Sequence, residues 1–276
     1  MMRVACAQYA VRDGDPDHNL ERSLHFIRQA AAESADLVVL PELASSGCDP
    51  GSHTRALDLA EEIPGGPTVE AWRKEAEESG IYVAGGLLER DGDTLHNAAV
   101  MLGPGTFGRY RKTHLWDREK LLYEPGRELP VFDTPLGRIG LLVCYDAWFP
   151  EAARTLAVNG AKMLCVPSNA PDDWVPEHQR RGDLTMLNVH CMAAANANRV
   201  FVAAANRVGD GYLGRSCMVD VTGGILALAG ASEEALVNAE VDLNRAKCEK
   251  RLTNLSYSFE DRNLTAYKVE PGKPLT

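Results

Sequence analysis

Apolar residues in the first third of the chain follow two alternating spacings. Continuous apolar runs at residues 4–7, 37–40 and 81–84 predict buried β-strands. Between these runs, apolar side chains recur every three or four residues at 20–31 and at 69–76, which predicts two amphipathic helices. This alternation of strands and helices is typical of a mixed α/β fold.

The middle of the chain predicts a hairpin followed by a strand–helix–strand unit. The hairpin strands lie at 97–102 and 107–110, on either side of a turn that contains glycine and proline. The strand–helix–strand unit spans 138–166, and its helix at 150–160 opens with a proline and closes with a glycine, as helices often do.

A long alanine-rich segment at 176–198 is predicted to be helical from its composition. Short strands are expected after it, at residues 200–205, 216–221, 225–228 and 235–241. Runs such as Leu-Val-Val-Leu are apolar at every position, which indicates strands that are covered on both faces. We therefore expect one domain over residues 1–276, in which helices flank the sheet layers.

Composition and charge indicate which partners, location and metal content to expect for this protein. The 276 residues carry 29 Lys+Arg against 39 Asp+Glu, a formal net charge of −10, which makes nucleic acid and anionic membranes poor partners. No apolar run approaches the about 20 residues that cross a bilayer, and the polar N-terminus does not resemble a signal peptide. Seven scattered cysteines then favour free thiols and a cytoplasmic location. Because C-x-x-C and H-E-x-x-H spacings are missing, we expect no metal and no cofactor.

Polar or reactive residues follow three of the predicted strands. Glu42 comes after the run at 37–40, Cys144 comes just after the strand at 138–143, and Asn169 follows the next strand. Because ligands bind beyond the carboxyl ends of strands in open α/β sheets, we expect these ends to lie on neighbouring strands and to meet at one pocket. Taken singly, each residue has an ordinary structural explanation, and Cys165 at the end of a similar strand is interpreted as a core thiol.

Three segments together resemble the motifs of the nitrilase superfamily, in its amidase-like branch. They are LPELASSG around Glu42, YRKTHLWDREK around Lys112 and CYDAWFPEAARTLA from Cys144, and the AANRVG run at 204–209 is a further match. The resemblance implies a Glu–Lys–Cys triad with Cys144 as nucleophile, Glu42 as general base and Lys112 as the group that stabilises the oxyanion. Glu119 fits a second glutamate of this family, and Glu124 is a nearby competitor.

The chemistry of these residue types agrees with those roles. A thiol is a strong nucleophile near neutral pH when a base can take its proton, and a buried glutamate can be that base. A lysine and the backbone N–H of Tyr145 can stabilise the negative oxygen of a tetrahedral intermediate, which is worth about 3–4 kcal/mol per donor. Trp148 and Asn169 are further candidates for substrate binding, and Trp174 is a candidate for the pocket wall.

The leading hypothesis is hydrolysis of a small primary amide to a carboxylic acid and ammonia through a cysteine thioester. An N-carbamoyl amine or amino-acid amidohydrolase is the alternative, and a true nitrilase comes third. Two other classes stay open, a catalytically inactive binding protein on this fold and a Cys-His-Asn enzyme that would require His114 or His190.

The resemblance also implies a four-layer α-β-β-α sandwich that associates into a homodimer or a larger homo-oligomer. Residues 242–276 are expected to form a C-terminal extension at such an interface. The expected partner is therefore a small-molecule amide together with further copies of the chain.

Overall fold

The protein has alternating strands and helices that build two facing β-sheets. The computed structural model describes residues 1–171, 183–209, 211–246 and 252–267. The first half contains β1 (Met2–Gln8), α1 (Pro16–Ala32), β2 (Leu37–Val39), α2 (His53–Leu59), α3 (Pro67–Ser79), β3 (Tyr82–Asp91), β4 (Thr94–Gly103), β5 (Thr106–Arg111) and α4 (Glu119–Leu122). The second half contains β6 (Val131–Thr134), β7 (Gly137–Leu141), α5 (Pro150–Val158), β8 (Met163–Ser168), α6 (Met186–Asn198), β9 (Phe201–Asn206), β10 (Val208–Gly209), β11 (Tyr212–Leu213), β12 (Cys217–Val219), β13 (Ile225–Leu228) and β14 (Ala235–Val241).

The two large sheets have the same design. The first has the strand order β14-β1-β2-β3-β4-β5 and the second β13-β12-β9-β8-β7-β6. In each, three central strands are parallel, namely β1, β2 and β3 in the first sheet and β7, β8 and β9 in the second. Antiparallel strands close both edges. Because their carboxyl ends coincide, the parallel strands of each sheet present their following turns at one edge.

Three apolar layers hold the sheets and helices together. Residues from the inner faces of both sheets, such as Val39 and Leu141, form one buried cluster between the sheets. Helices α1 and α3 cover the outer face of the first sheet, where Trp72 is fully buried. Helices α5 and α6 cover the outer face of the second sheet in the same way. This is the four-layer α-β-β-α sandwich in a single domain that the sequence predicts.

Most of the predicted strands lie where the apolar pattern puts them, and two predictions need correction. The helix predicted at 176–198 begins at Met186 in the described residues, because Thr185 caps it by accepting a hydrogen bond from the Asn188 N–H. Residues 176–182 lie outside the described residues, as does Trp174. The strands before Glu42, Cys144 and Asn169 are not all neighbours, because β2 belongs to the first sheet and β7 and β8 to the second.

The C-terminal part of the chain is described at 242–246 and 252–267. Leu243 and Ala246 are buried in the cluster between the two sheets, so the beginning of this part belongs to the domain core. Phe259 packs against the layer of α5 and α6, with the Arg154 guanidinium 4.8 Å from its ring. The assignment of 242–276 to an oligomer interface stays a prediction. Within the described ranges, no helix combines the length and apolar character that crossing a bilayer requires.

Gly86 on β3 allows close contact with the turn that carries Glu42. A Cβ at position 86 would lie 2.6 Å from Glu42 Cα and 2.9 Å from the Leu43 nitrogen. We predict that Gly86→Ala pushes this turn away from β3 and lowers the free energy of unfolding by about 1–3 kcal/mol, as overpacking of a core does. Urea unfolding followed by circular dichroism measures the change.

Gly224→Ala is the matched control for that substitution. Gly224 is exposed, and the nearest atom to an added Cβ there is Thr222 Oγ1 at 3.8 Å. We expect its unfolding midpoint to stay close to that of the unaltered protein. Equal stability of the two variants would show that the close contact at Gly86 does not constrain the fold.

Candidate active site

Glu42 lies in the turn after β2, at the junction of the two sheets. Its side chain is buried, and its backbone N–H donates a 3.4 Å hydrogen bond to the Ser168 carbonyl at the end of β8. The backbone N–H of Asn169 donates to Glu42 Oε2 at 2.8 Å, and the Asn169 side-chain amide donates to the Glu42 carbonyl at 2.6 Å. The carboxylate is therefore held by the first sheet and by the second sheet at the same time.

Lys112 follows β5 and points its ammonium group into the interior. Its backbone N–H donates to the Asn97 carbonyl at 2.8 Å, and its own carbonyl accepts a 2.8 Å hydrogen bond from the Gly126 N–H. The Lys112 side chain is 1% exposed, and Nζ donates to Glu42 Oε1 at 2.7 Å and to Glu119 Oε2 at 2.9 Å. The ammonium thus lies between two carboxylates, at the start of the short helix α4 that begins with Glu119.

Asn97 completes this network and was not found from the sequence. Its Nδ2 donates to Glu42 Oε1 and to Glu119 Oε1, both at 2.7 Å. Asn97 is buried on β4, next in the sheet to β5, the strand that ends just before Lys112. The one available signal is an amide inside the apolar run Leu95–Leu102, because a buried polar side chain needs partners to offset its desolvation.

Cys144 begins a 3₁₀ turn, and two residues separate it from the end of β7. Its φ of +46° lies in the left-handed region that side chains other than glycine seldom adopt. Such a conformation is costly and is common at functional sites, where the surrounding contacts impose it. Here the next strand helps, because the Leu142 N–H donates to the Cys165 carbonyl at 3.0 Å.

Asp146 joins the turn of Cys144 to the segment of Lys112. It is fully buried, and its carboxylate is within hydrogen-bonding distance of groups on both segments. These groups are Val143 N at 2.9 Å, Tyr110 Oη at 2.7 Å, Thr113 Oγ1 at 3.0 Å, His114 N at 3.0 Å and His114 Nδ1 at 2.8 Å. The His114 ring also stacks on Phe149 with centroids 3.7 Å apart. These contacts indicate a structural role for His114, because they hold its side chain against Asp146 and Phe149.

A cavity of about 240 Å³ opens above these groups. Seven of the site candidates named from the sequence line it, namely Glu42, Lys112, Glu119, Cys144, Tyr145, Trp148 and Asn169. The lining also includes the loop residues Cys48–Pro50, Trp116–Glu119 and Asn169–Pro171. Glu124 is exposed and its backbone pairs with Leu95 and His96, so Glu119 is the glutamate beside Lys112. Cys165 is buried in the core between the sheets.

Burial and neighbouring charges shift the pKa values of Cys144, Lys112 and Glu119. Burial raises the pKa of the Cys144 thiol well above its usual value, Glu42 raises it further, and Lys112 partly opposes both. Burial opposes the charge of Lys112, but the carboxylates of Glu42 and Glu119 outweigh it and raise the pKa of Lys112. Burial also raises the pKa of Glu119 against the influence of Lys112. At neutral pH the thiol keeps its proton, so it needs a nearby base when it reacts.

The described part of the chain contains no cluster of side chains that could bind a metal ion. In residues 1–171, 183–209, 211–246 and 252–267, no group of three or more His, Cys, Asp or Glu side chains is arranged to hold a metal ion. The arrangement at the cavity floor instead combines a thiol, a carboxylate and an ammonium, which is a set suited to nucleophilic catalysis on a carbonyl carbon.

Comparison with known proteins identifies the class to which this fold and site belong. The family model described as carbon-nitrogen hydrolase matches residues 3–248, and the chain belongs to that family. It is a hydrolase that acts on carbon–nitrogen bonds other than peptide bonds, and the predicted membership of the nitrilase superfamily is confirmed.

Individual relatives cover nearly the whole chain. A nitrilase from Pyrococcus abyssi is 34% identical over 97% of this chain and 99% of its own length. An (R)-stereoselective amidase from a Pseudomonas species is 33% identical over 91% of this chain and 88% of its own length. Among solved structures, an amidase from Nesterenkonia sp. AN1 with acrylamide added at its active-site cysteine has a TM-score of 0.75 and 26% identity, and covers 88% of this chain and 94% of its own.

The carboxylate of Asp146 gives a testable stability prediction. In Asp146→Asn, one acceptor oxygen is replaced by an NH₂ group that faces hydrogen-bond donors, so buried donors lose their partner. We expect the free energy of unfolding to fall by about 2–4 kcal/mol in urea titrations.

Asp133→Asn provides the comparison, because Asp133 is an exposed aspartate with a single surface ion pair to Arg138 at 3.0 Å. We expect that variant to change stability by less than about 0.5 kcal/mol. If both variants unfold at the same urea concentration, the contacts of Asp146 do not hold the two segments together.

Proposed function

We propose that the protein hydrolyses a small primary amide to a carboxylic acid and ammonia through a thioester on Cys144. The observation that carries this proposal is the Lys112 ammonium, which is hydrogen-bonded to Glu42 at 2.7 Å and to Glu119 at 2.9 Å on the floor of the cavity that Cys144 lines. Acyl transfer requires a nucleophile, a base and a cation that are close enough together to act on one carbonyl group.

In the first half of the reaction, Cys144 attacks the amide carbonyl carbon. Its thiol proton passes to the Glu42 carboxylate as the carbon–sulfur bond forms, and the carbonyl oxygen becomes negative. The Lys112 ammonium and the backbone N–H of Tyr145 are the proposed donors to that oxygen. Glu42 then gives the proton to the leaving nitrogen, the carbon–nitrogen bond breaks, and ammonia departs from the thioester.

In the second half, water attacks the thioester carbonyl. Glu42, which is again a carboxylate after it has protonated the leaving group, takes a proton from the water as the carbon–oxygen bond forms. The second tetrahedral intermediate collapses, the carbon–sulfur bond breaks, and the proton returns to the sulfur. The products are a carboxylic acid and the free thiol of Cys144, so the cycle closes without a cofactor.

Glu119 and Asn97 support these steps by orienting the reacting groups. Glu119 accepts hydrogen bonds from Lys112 and from the Trp116 N–H at 2.7 Å, which fixes the position of the ammonium. Asn97 donates to both carboxylates, which keeps them apart from each other and facing the lysine. Orientation of this kind lowers the entropy cost of reaching the transition state.

Single substitutions in the triad test the proposal. Cys144→Ala removes the nucleophile and is expected to abolish ammonia release from a panel of simple primary amides. Glu42→Gln and Lys112→Ala are each expected to lower kcat/KM by about three orders of magnitude or more, because the members of a triad act as a unit. Ammonia release is followed by a coupled assay, and the acyl-enzyme is detected by intact mass after rapid acid quench.

Matched controls separate loss of chemistry from loss of structure. Cys165→Ala removes a buried thiol in the middle of the neighbouring parallel strand β8, and Glu124→Gln alters the exposed glutamate five residues after Glu119. Both should keep turnover close to that of the unaltered protein. Normal turnover by Cys144→Ala would refute the proposal, and release of carbon dioxide with the ammonia would redirect it to N-carbamoyl substrates.

The raised pKa of the Cys144 thiol gives a pH-dependent prediction. Alkylation by iodoacetamide needs the thiolate, so its rate should rise only at pH values above the usual thiol range. Because the Glu42 carboxylate raises the pKa of Cys144, Glu42→Gln should lower it and move the alkylation profile to lower pH by about one unit or more. Mass spectrometry of the peptide that contains Cys144 measures the rate.

Glu124→Gln is again the control and should leave the alkylation profile where it is. A Glu42→Gln profile that stays in place or moves to higher pH would contradict the electrostatic contact between Glu42 and the thiol.

A further inference from the structure

We propose that the cavity selects amides whose acyl group is uncharged and apolar. This inference rests on the proposed function, because it concerns the acyl chain that the thioester on Cys144 would carry. It is drawn from the described walls of the cavity above the reacting groups, which consist largely of aromatic and aliphatic side chains. The most prominent are Trp116, Leu122, Tyr145, Trp148, Met186 and Leu187.

One wall is a set of aromatic rings that contact each other. The centroids of Trp116 and Tyr145 lie 4.7 Å apart, and those of Tyr145 and Trp148 lie 5.8 Å apart. Trp148 packs its other side on His190 at 4.3 Å. Burial lowers the pKa of His190, so this supporting ring is uncharged at neutral pH. Mutual packing fixes the rings, and the wall presents carbon surface to the cavity.

The wall on the side of Glu42 is also apolar. Leu43 and Tyr123 are buried, and they belong to an apolar cluster that includes Leu88 and Leu115. Tyr123 lines the cavity, and its hydroxyl is buried. An acyl chain that extends from Cys144 would therefore contact apolar side chains on two sides.

The charged residues of the described lining are found at the floor and at the mouth. Those at the floor already pair with each other, as Lys112 does with Glu42 and Glu119. Those at the mouth are exposed to solvent, namely Asp49, Asp117 and Arg118. Between the two levels, the described wall offers neither a buried cation for an acyl carboxylate nor a buried carboxylate for an acyl ammonium.

Arg207 is a buried cation behind the wall, and it does not itself line the cavity. Its guanidinium donates to the Val11 carbonyl, lies 3.5 Å from Asp13 and stacks 4.2 Å from the centroid of the Tyr212 ring. Tyr212 and Cys48 line the cavity, so they separate Arg207 from it. An acyl carboxylate would meet these side chains before it met the guanidinium.

These contacts predict opposite effects for methylene groups and for charges. Each methylene added to the acyl chain should raise kcat/KM by about fourfold until the cavity of about 240 Å³ is filled. A charge at the end of the chain should lower kcat/KM by about 100-fold or more, because it would be buried without a partner.

A matched panel of amides tests the inference on the unaltered protein. Acetamide, propanamide, butanamide and pentanamide vary the length, and 4-aminobutanamide and succinamate place an ammonium or a carboxylate where pentanamide ends. The expected order of kcat/KM rises from acetamide to pentanamide and falls for both charged compounds. Equal or faster hydrolysis of either charged compound, or a flat response to length, overturns the inference and leaves the proposed function intact.

Failure of the proposed function has a different signature. If no amide of the panel releases ammonia and no acyl-enzyme forms on Cys144, the proposed reaction is refuted, and the inference falls with it. Formation of the thioester with every amide at similar rates would keep the reaction and overturn the selectivity.

A charge placed in the wall gives an independent test. Met186→Lys adds a cation at the first residue of α6, and Met186→Gln adds a neutral polar side chain of similar length. The lysine variant should raise the ratio of kcat/KM for succinamate over pentanamide by about tenfold or more, and the glutamine variant should not. Equal ratios in the two variants would overturn the assignment of selectivity to an uncharged wall.

Discussion

A single buried ammonium group, that of Lys112, constrains the site and much of the fold around it. Removing an ammonium and two carboxylates from water costs several kcal/mol for each ion, and that cost is offset only when every charge has a close partner. Lys112 meets this condition through Glu42 and Glu119, and Asn97 adds hydrogen bonds to both carboxylates. The end of β2, the end of β5 and the start of α4 must therefore arrive at one point for the chain to fold.

The two sheets divide the proposed machinery between them. Glu42 and Lys112 follow strands of the first sheet, and Cys144 and Asn169 follow strands of the second. Packing in the apolar layer between the sheets therefore decides how far the thiol lies from the base and the cation. Asp146 and Asn169 reinforce this alignment with hydrogen bonds that cross from one sheet to the other. Changes that loosen the core between the sheets should therefore also change the geometry of the site.

The sequence predicted features that depend on neighbouring residues, and it missed features that depend on contacts between segments far apart in the chain. The strands β13 and β14 lie at the predicted residues, because an apolar run is a local signal. Four side chains of the floor, those of Glu42, Lys112, Glu119 and Cys144, were predicted from motifs. Asn97 was missed because one amide inside an apolar run is only a weak local signal. The expectation that the strands before Glu42, Cys144 and Asn169 are all neighbours was wrong for β2, since pairing between distant segments leaves no trace in local spacing. The helix at 176–198 was predicted too long, because alanine content does not mark a start, whereas the capping Thr185 does.

The amide of Asn97 has a consequence for how this site tolerates chemical change. Its nitrogen donates to two carboxylates, while its oxygen has no partner among the described residues. Conversion of that amide to an acid would exchange one nitrogen for an oxygen and set three carboxyl groups around one ammonium. All three could keep a negative charge only at a high electrostatic cost, so one of them would have to hold a proton. The amide nitrogen of Asn97 thus fixes how many protons the site holds, although Asn97 itself forms and breaks no bonds in the reaction.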